Sequence, residues 1–159
     1  MTVEEFQALL KPVLDAVAKH PVDVSLAADL NARVPPGGPL FRAIETACHQ
    51  AIEAGWMCAE GTAGRRFGRV IEASPDTHDL SVDVVALKDI VGPHHRHPNG
   101  EVCLNMPVTP AAKFDGHPAG WCVYPPDSAH RPTVTNGEAL VLYLLPGGQI
   151  EFTANKGQR

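Results

Sequence analysis

Apolar residues recur at helical spacing through the first third of the chain and fall into short runs between turn residues over the rest. The pattern predicts a helical segment followed by a strand-rich one. Phe6, Leu9, Leu10, Val13, Leu14 and Val17 share one face of a first helix, and Thr2-Val-Glu-Glu5 before them has the form of a capping box. Pro12 predicts a kink within that helix. A second short helix is expected from Ser25 to just before Pro35-Pro-Gly-Gly-Pro39. A third is expected from about Leu40 to Ala54, terminated by Gly55.

From Arg66 onward, runs rich in Val, Ile, Leu and aromatics at 67–73, 80–87, 89–97, 101–106, 120–124, 139–145 and 149–153 read as strands. Seven suffice for a small barrel. Asn136-Gly137 and Pro146-Gly-Gly148 are expected to be hairpin turns, and 109–117 a longer loop edging a cavity mouth. The tail at 155–159 is polar and expected to fray. The reading is mainly β, a small barrel at 61–159 with a helical extension at 1–60 that packs on the barrel or on a dimer partner.

Composition sharpens this picture in three ways. At 159 residues the chain is the size of one domain, long enough to bury roughly 70% of its extended surface. A net charge of −5 argues against nucleic acid, which is bound through phosphate-neutralising Lys and Arg. The same argument weighs against a helix-turn-helix reader at 1–60, where eight acidic side chains face four basic ones. With no signal-like start and no apolar run near the ~20 residues that cross a bilayer, no membrane is expected and the location is read as cytoplasmic. Cys48, Cys58, Cys103 and Cys122 form no C-x-x-C pair and are expected to be buried thiols, with Cys103 and Cys122 also near enough to the candidate site to line a pocket.

The candidate chemistry sits in Gly92-Pro-His-His-Arg-His-Pro-Asn-Gly-Glu101 and in Pro125-Pro-Asp-Ser-Ala-His130. On a strand, alternate side chains share a face, so His95 and His97 point together and Arg96 points away. Pro98-Asn-Gly100 reads as a tight turn that returns Glu101 beside them, and His130 closes the set from another hairpin. Three imidazoles and one carboxylate suit a divalent transition ion (iron, manganese, zinc, nickel or copper) better than calcium or magnesium. His94, on the opposite face, is expected to be a catalytic pocket residue.

Around these ligands, Arg96, Arg131, Arg65, Arg66 and Arg69 are candidates to clamp a carboxylate with the planar guanidinium fork. Alternation turns Arg96 and Arg131 away from the metal unless the backbone bulges. His117 is a loop residue within reach of a substrate, while His49 reads as helix surface. Trp121 offers an apolar wall to an aromatic ring, and Tyr124, on the same side as Cys122, is a candidate acid; Trp56 ends the helical region as a core residue.

The two histidine segments resemble the cupin motifs. His95, His97 and Glu101 match G-x5-H-x-H-x3,4-E-x6-G, with Val108 in place of the closing Gly. Pro125, Asp127 and His130 match the core of G-x5-P-x-G-x2-H-x3-N, with Asp127 for its Gly and Val134 for its Asn. Over nearly the whole chain, Ser81-Val-Asp-Val-Val, Asp89-Ile-Val-Gly-Pro through Glu101, Ala112-Lys-Phe-Asp-Gly-His117, Ser128-Ala-His-Arg-Pro-Thr-Val134 and Ala139-Leu-Val-Leu-Tyr-Leu-Leu-Pro-Gly-Gly148 resemble the bacterial 4-hydroxylaminobenzoate lyase family.

That resemblance implies a cupin barrel, a small aromatic carboxylate substrate, and its conversion to 3,4-dihydroxybenzoate and ammonia in nitroaromatic degradation. The reaction is redox-neutral. The expected roles are metal binding by His95, His97, Glu101 and His130; catalysis by Glu101, His94 and Tyr124; and substrate contact by Arg96, Arg131, His117 and Trp121. A metal-polarised leaving oxygen or water, or Glu101 acting off the metal as general acid/base, remain alternatives. So do an O2-consuming cupin dioxygenase and a non-catalytic aromatic sensor. A homodimer is the expected assembly.

Overall fold

The computed structural model describes residues 1–153, so the tail expected to fray lies outside the described residues. Helix α1 (Val3–Ala18) starts at the expected capping box: the Glu5 N–H donates to the Thr2 hydroxyl at 3.1 Å and the Thr2 N–H to the Glu5 carboxylate at 2.8 Å. The helix runs through Pro12 as one element. Helix α2 (Val24–Arg33) starts one residue before the expected Ser25, because the Asp23 carboxylate accepts from the Ser25 and Leu26 N–H groups. Helix α3 (Pro39–Ala54) ends at Gly55, whose φ of 91° is the left-handed cap that glycine adopts without steric cost.

Among the described residues ten strands follow: β1 (Glu60–Thr62), β2 (Arg65–Ile71), β3 (Leu80–Val91), β4 (His95–His97), β5 (Glu101–Pro107), β6 (Lys113–Phe114), β7 (Gly120–Tyr124), β8 (Ser128–His130), β9 (Thr133–Pro146) and β10 (Glu151–Phe152). They form a seven-stranded sheet in the order β1-β2-β3-β9-β5-β7, with β6 also on β9, and a three-stranded sheet β10-β4-β8. All pairings are antiparallel. This is the cupin-type barrel with a helical amino-terminal extension.

Period-two alternation divides the large sheet into two working faces. Val82, Val84, Ala86, Leu104, Leu142, Leu144 and Trp121 pack with α1–α3 residues such as Phe6, Leu10, Leu30 and Ile44 in one core. The opposite face carries Leu87, Cys103, Cys122, Val141 and Tyr143 toward the interior of the cup. The helices are therefore the outer cover of the sheet, and they leave its inner face to the small sheet and to the site. Burying each such aliphatic side chain stabilises the fold by about 1.5–3 kcal/mol relative to exposure.

Two expected hairpins differ from the sequence reading. Pro146-Gly-Gly148 is a turn, but the strand after it, β10, pairs with β4 in the small sheet and not with β9. Asn136-Gly137 does not close a hairpin: with φ of 63° and 122° these residues form an irregularity inside the single strand β9, opposite a shift in β3 between Lys88 and Ile90. The reason lies across the ladder, where Asp89 (φ 44°) accepts the Gly137 N–H at 3.0 Å. Paired positive φ values bend a strand as well as they reverse one.

Gly100 carries the opposite lesson. At φ 87° in the turn from β4 to β5, an added Cβ would lie 2.8 Å from the Tyr124 carbonyl oxygen and 2.6 Å from Val22 Cγ1. Gly100→Ala is expected to cost at least about 1–3 kcal/mol from its backbone conformation alone. Equilibrium denaturation would measure this; a loss below about 0.5 kcal/mol, the scale of an ordinary surface change, would contradict it.

Candidate metal centre

Three short chain segments bring the site together. In the small sheet His95 pairs with His130 and His97 with Ser128 across β4 and β8. The Gly100 turn then places Glu101 at the head of β5. His95 is 3% exposed, His97 and Glu101 are fully buried, and His130 is part-buried at 13% exposed. One ligand atom from each of these four lies within 4.8 Å of all the others.

The short separations are close to the edges of a coordination shell. His97 Nε2 is 3.1 Å and His95 Nε2 3.5 Å from Glu101 Oε2, His130 Nε2 is 3.5 Å from Glu101 Oε1, and His130 Nε2 is 3.1 Å from His95 Nε2. A shell of ~2.1 Å radius has edges of roughly 3.0 Å if octahedral and 3.4 Å if tetrahedral. His97 Nε2 and Glu101 Oε2 are buried without a hydrogen-bond partner. Buried polar atoms in native folds are nearly always satisfied, so these two orphans point to an ion at their shared centre.

Neighbouring groups fix which nitrogen is bare. The Ser128 hydroxyl donates its single proton to the Pro125 carbonyl at 2.6 Å, so at 3.0 Å from His97 Nδ1 it can only accept. His97 Nε2 is then left with its lone pair toward the centre. At His130, Nδ1 lies 2.6 Å from Asp115 Oδ2, an acceptor-only carboxylate, which directs Nε2 inward in the same way. Asp115 also accepts from the Tyr124 hydroxyl and, through Oδ1, from the Thr133 N–H at 2.8 Å.

Electrostatics favour an ionised Glu101 and, without a cation, a protonated His130. Burial alone would raise the Glu101 carboxyl, but His130, His95 and His97 around it outweigh burial and hold it well below the usual carboxylate range. Burial likewise disfavours a charged His130, yet Asp115 and Glu101 override it and raise this imidazole to about 9. Cys103, pushed well above the usual thiol range by burial and by its acidic and thiol neighbours, stays protonated and donates to Glu101 Oε1 at 3.0 Å.

A pH dependence follows from His130. Because its proton must leave before Nε2 can bind a cation, apparent affinity should rise about tenfold per pH unit from 7 toward 9 and level off above. The same raised value stabilises the cation-free fold fully below pH 6.5, a contribution lost as pH climbs through about 9. Calorimetric titration of the ion at several pH values tests this; an affinity flat between pH 7 and 9 would contradict it.

The remaining expected site residues separate. Tyr124 belongs to the site: its ring is 4.3 Å from that of His130 and 5.6 Å from that of His97. Its hydroxyl is pushed up by burial, then by Cys122 and Asp115, and so keeps its proton. His94 bonds Thr153 through Nδ1, on the side of β4 away from the cluster. Arg96, expected at the substrate, instead pairs outward with Asp127 and with Glu151, the latter at 2.7 Å, as strand alternation requires.

Trp121 is also placed otherwise than expected. It lies on the helix-facing side of β7 and donates through Nε1 to the Val34 carbonyl at 3.2 Å, so it is core and no wall of the cup. His117 is exposed on the loop after β6, where its carbonyl accepts from Asn105 Nδ2 at 3.1 Å. Arg131 is half-buried beside His130, and its carbonyl accepts the Thr133 hydroxyl at 2.9 Å. All four cysteines are free and buried, as expected. Among the described residues no helix is long and apolar enough to cross a membrane.

Asp115 is the site residue that sequence reasoning missed. It lies in Phe114-Asp115-Gly116, a loop whose only signal was an acid beside a turn glycine. A left-handed φ of 51° turns it back toward β8 and β9.

Comparison with known proteins bears on this arrangement. A chain of 18% identity, the DMSP lyase DddQ from Ruegeria pomeroyi, superposes with a TM-score of 0.54 over 96% of this chain and 98% of that one. It shares the fold. A curated relative from Nocardioides sp. (strain LMS-CY), named 4-hydroxylaminobenzoate lyase, is 26% identical over 151 residues, covering 89% of each chain. Another of that name from Pseudomonas putida is 26% identical over 140 residues, covering 77% of this chain and 80% of the relative. The sequence profile described as PnbB, 4-hydroxylaminobenzoate lyase, matches residues 8–152 and so spans both histidine segments and Glu101. The chain belongs to the 4-hydroxylaminobenzoate lyase family.

Proposed function

We propose that this protein converts 4-hydroxylaminobenzoate to 3,4-dihydroxybenzoate and ammonia at the His95, His97, Glu101, His130 cluster. The observation that carries the reading is the convergence of four donor atoms within 4.8 Å, three of them on buried residues and the fourth on the part-buried His130, in a chain whose family match spans all four residues. Substrate plus one water equals the two products, so no electron carrier is needed. The nitrogen is reduced as its N–O bond breaks, and the adjacent ring carbon is oxidised as it gains oxygen.

A divalent transition ion held by His95, His97, Glu101 and His130 would supply Lewis acidity for the departing oxygen or the incoming water. The chain's own groups supply the rest. Glu101, kept ionised by its imidazole neighbours, offers a negative site beside the reacting atoms. Tyr124 Oη holds a proton and donates it to Asp115 Oδ2, which also takes His130 Nδ1–H, so a proton can be passed along one short chain at the cluster's edge. The β-lined interior, with Val141, Leu87 and Phe114 buried around it, excludes bulk water from a reactive ring.

Incubation of the metal-loaded protein with 4-hydroxylaminobenzoate under nitrogen should release ammonia and 3,4-dihydroxybenzoate in equal amounts. Turnover that needs dissolved O2, followed with an oxygen electrode, would assign a ring-cleaving dioxygenase instead. Binding with no turnover in either gas would leave an aromatic sensor.

A further inference from the structure

A cavity of about 290 Å³ opens above His95, near the lower end of the range for small-ligand sites, roughly 300–1,000 Å³. Its walls are largely apolar, with Phe67, Val85, Leu87 and Pro93 among them. Two arginines also line it, Arg65 and Arg69, which share a face of β2 with Phe67 between them. Their registers are Arg65 with Leu87, Phe67 with Val85 and Arg69 with Asp83.

The two guanidinium groups differ in what they already hold. Arg69 is spent within the fold: Nε bonds Asp83 at 2.8 Å, Nη1 reaches Glu72 at 3.4 Å and Nη2 donates to the Gly148 carbonyl at 3.1 Å. Arg65 lies over the Phe67 ring at 5.1 Å, and no carboxylate among the described residues is within ion-pair distance of it. The acids that share the lining are Glu60 and Asp83, and Asp83 is committed to Arg69. The cavity thus has an uncommitted planar cation on one wall, the buried His95 of the cluster on another, and apolar surface between.

We propose that Arg65 anchors the carboxylate of a para-substituted benzoate, so that the ring lies along Phe67, Val85 and Leu87 with its hydroxylamino group toward His95. This rests on the lyase reading and adds its specificity: the site selects aromatic acids whose reacting nitrogen stands opposite the carboxylate. A guanidinium matches both carboxylate oxygens at once, and Phe67 beneath it holds the fork flat. Arg65 is a binding residue here, and the bond-breaking chemistry does not pass through it.

The test compares wild-type protein with Arg65→Met and Arg65→Lys. Losing one charge-assisted pair should raise KM for 4-hydroxylaminobenzoate on the order of 10- to 100-fold, with kcat changed far less and Lys recovering part of the loss. For phenylhydroxylamine, which lacks the carboxylate, wild type and Arg65→Met should agree within about twofold, as expected where no charged contact exists. A KM for the acid unchanged in Arg65→Met, or an equal loss for both compounds, overturns the assignment. Binding of unreactive 4-hydroxybenzoate, read by calorimetry, decides it even if the protein proves to have no lyase activity: weaker binding in Arg65→Met supports Arg65, and equal binding overturns it.

Discussion

Replacing His97 by alanine should reduce bound divalent ion to a small fraction of the wild-type content and lower kcat/KM on the order of 10³-fold or more. The magnitude follows from Lewis-acid stabilisation worth several kcal/mol, at about 1.4 kcal/mol per decade of rate. The geometry gives no route to compensation. His97 is fully buried, its Nε2 is 3.1 Å from Glu101 Oε2, and its Nδ1 is fixed by Ser128. Removing the ring leaves Glu101 fully buried among two imidazoles with part of its neutralising shell gone. Elemental analysis beside anaerobic turnover measures both quantities, and circular dichroism shows whether the barrel is intact. A folded His97→Ala protein with wild-type metal content and turnover would remove His97 from the site.

Asp115→Ala should have the next largest effect. Asp115 is not itself one of the proposed ligands; it holds the ligand His130 through Nδ1 and Tyr124 through its hydroxyl. Partners of this kind around a metal ligand are worth 10–100-fold in affinity or activity. The variant should therefore lose about that factor in metal affinity. It should also become less stable by about 1–3 kcal/mol, because the Thr133 N–H loses its acceptor. Asn is no substitute, since both carboxylate oxygens accept and an amide must turn its NH2 toward one of the donors. Loss of stability with unchanged metal affinity would reduce Asp115 to a structural brace.

The parts of this site that the sequence made legible follow simple periods. Two histidines one residue apart share a strand face, and Pro98-Asn-Gly100 before Glu101 announces a turn with a positive φ, so three ligands can be placed before any coordinates exist. His130 follows from its segment's likeness to a second motif. The helices were equally readable, because the capping box at Thr2 and the glycine at Gly55 are local chemistry.

What stayed hidden depends on contacts between distant segments. Asp115 reaches His130 and Thr133 across the cup, and no spacing rule links it to either. Trp121 and Tyr124 both precede the second motif, but only the pairing of β7 with β5 decides that Tyr124 stands opposite Glu101 while Trp121 faces α2. Among five candidate arginines the difference between Arg65 and Arg69 is invisible until Asp83 is seen opposite Arg69 across β2 and β3. Asn136-Gly137 reads as a hairpin because the sequence does not show the Asp89 carboxylate that caps it within a continuing strand.

The most direct test of the account is a titration of metal-stripped protein with manganese, iron(II), zinc or nickel while ammonia release from 4-hydroxylaminobenzoate is followed anaerobically. Activity should rise in proportion to bound ion and saturate at one ion per chain, with proton release on binding at pH 7. Full turnover by protein that retains no measurable metal would contradict it.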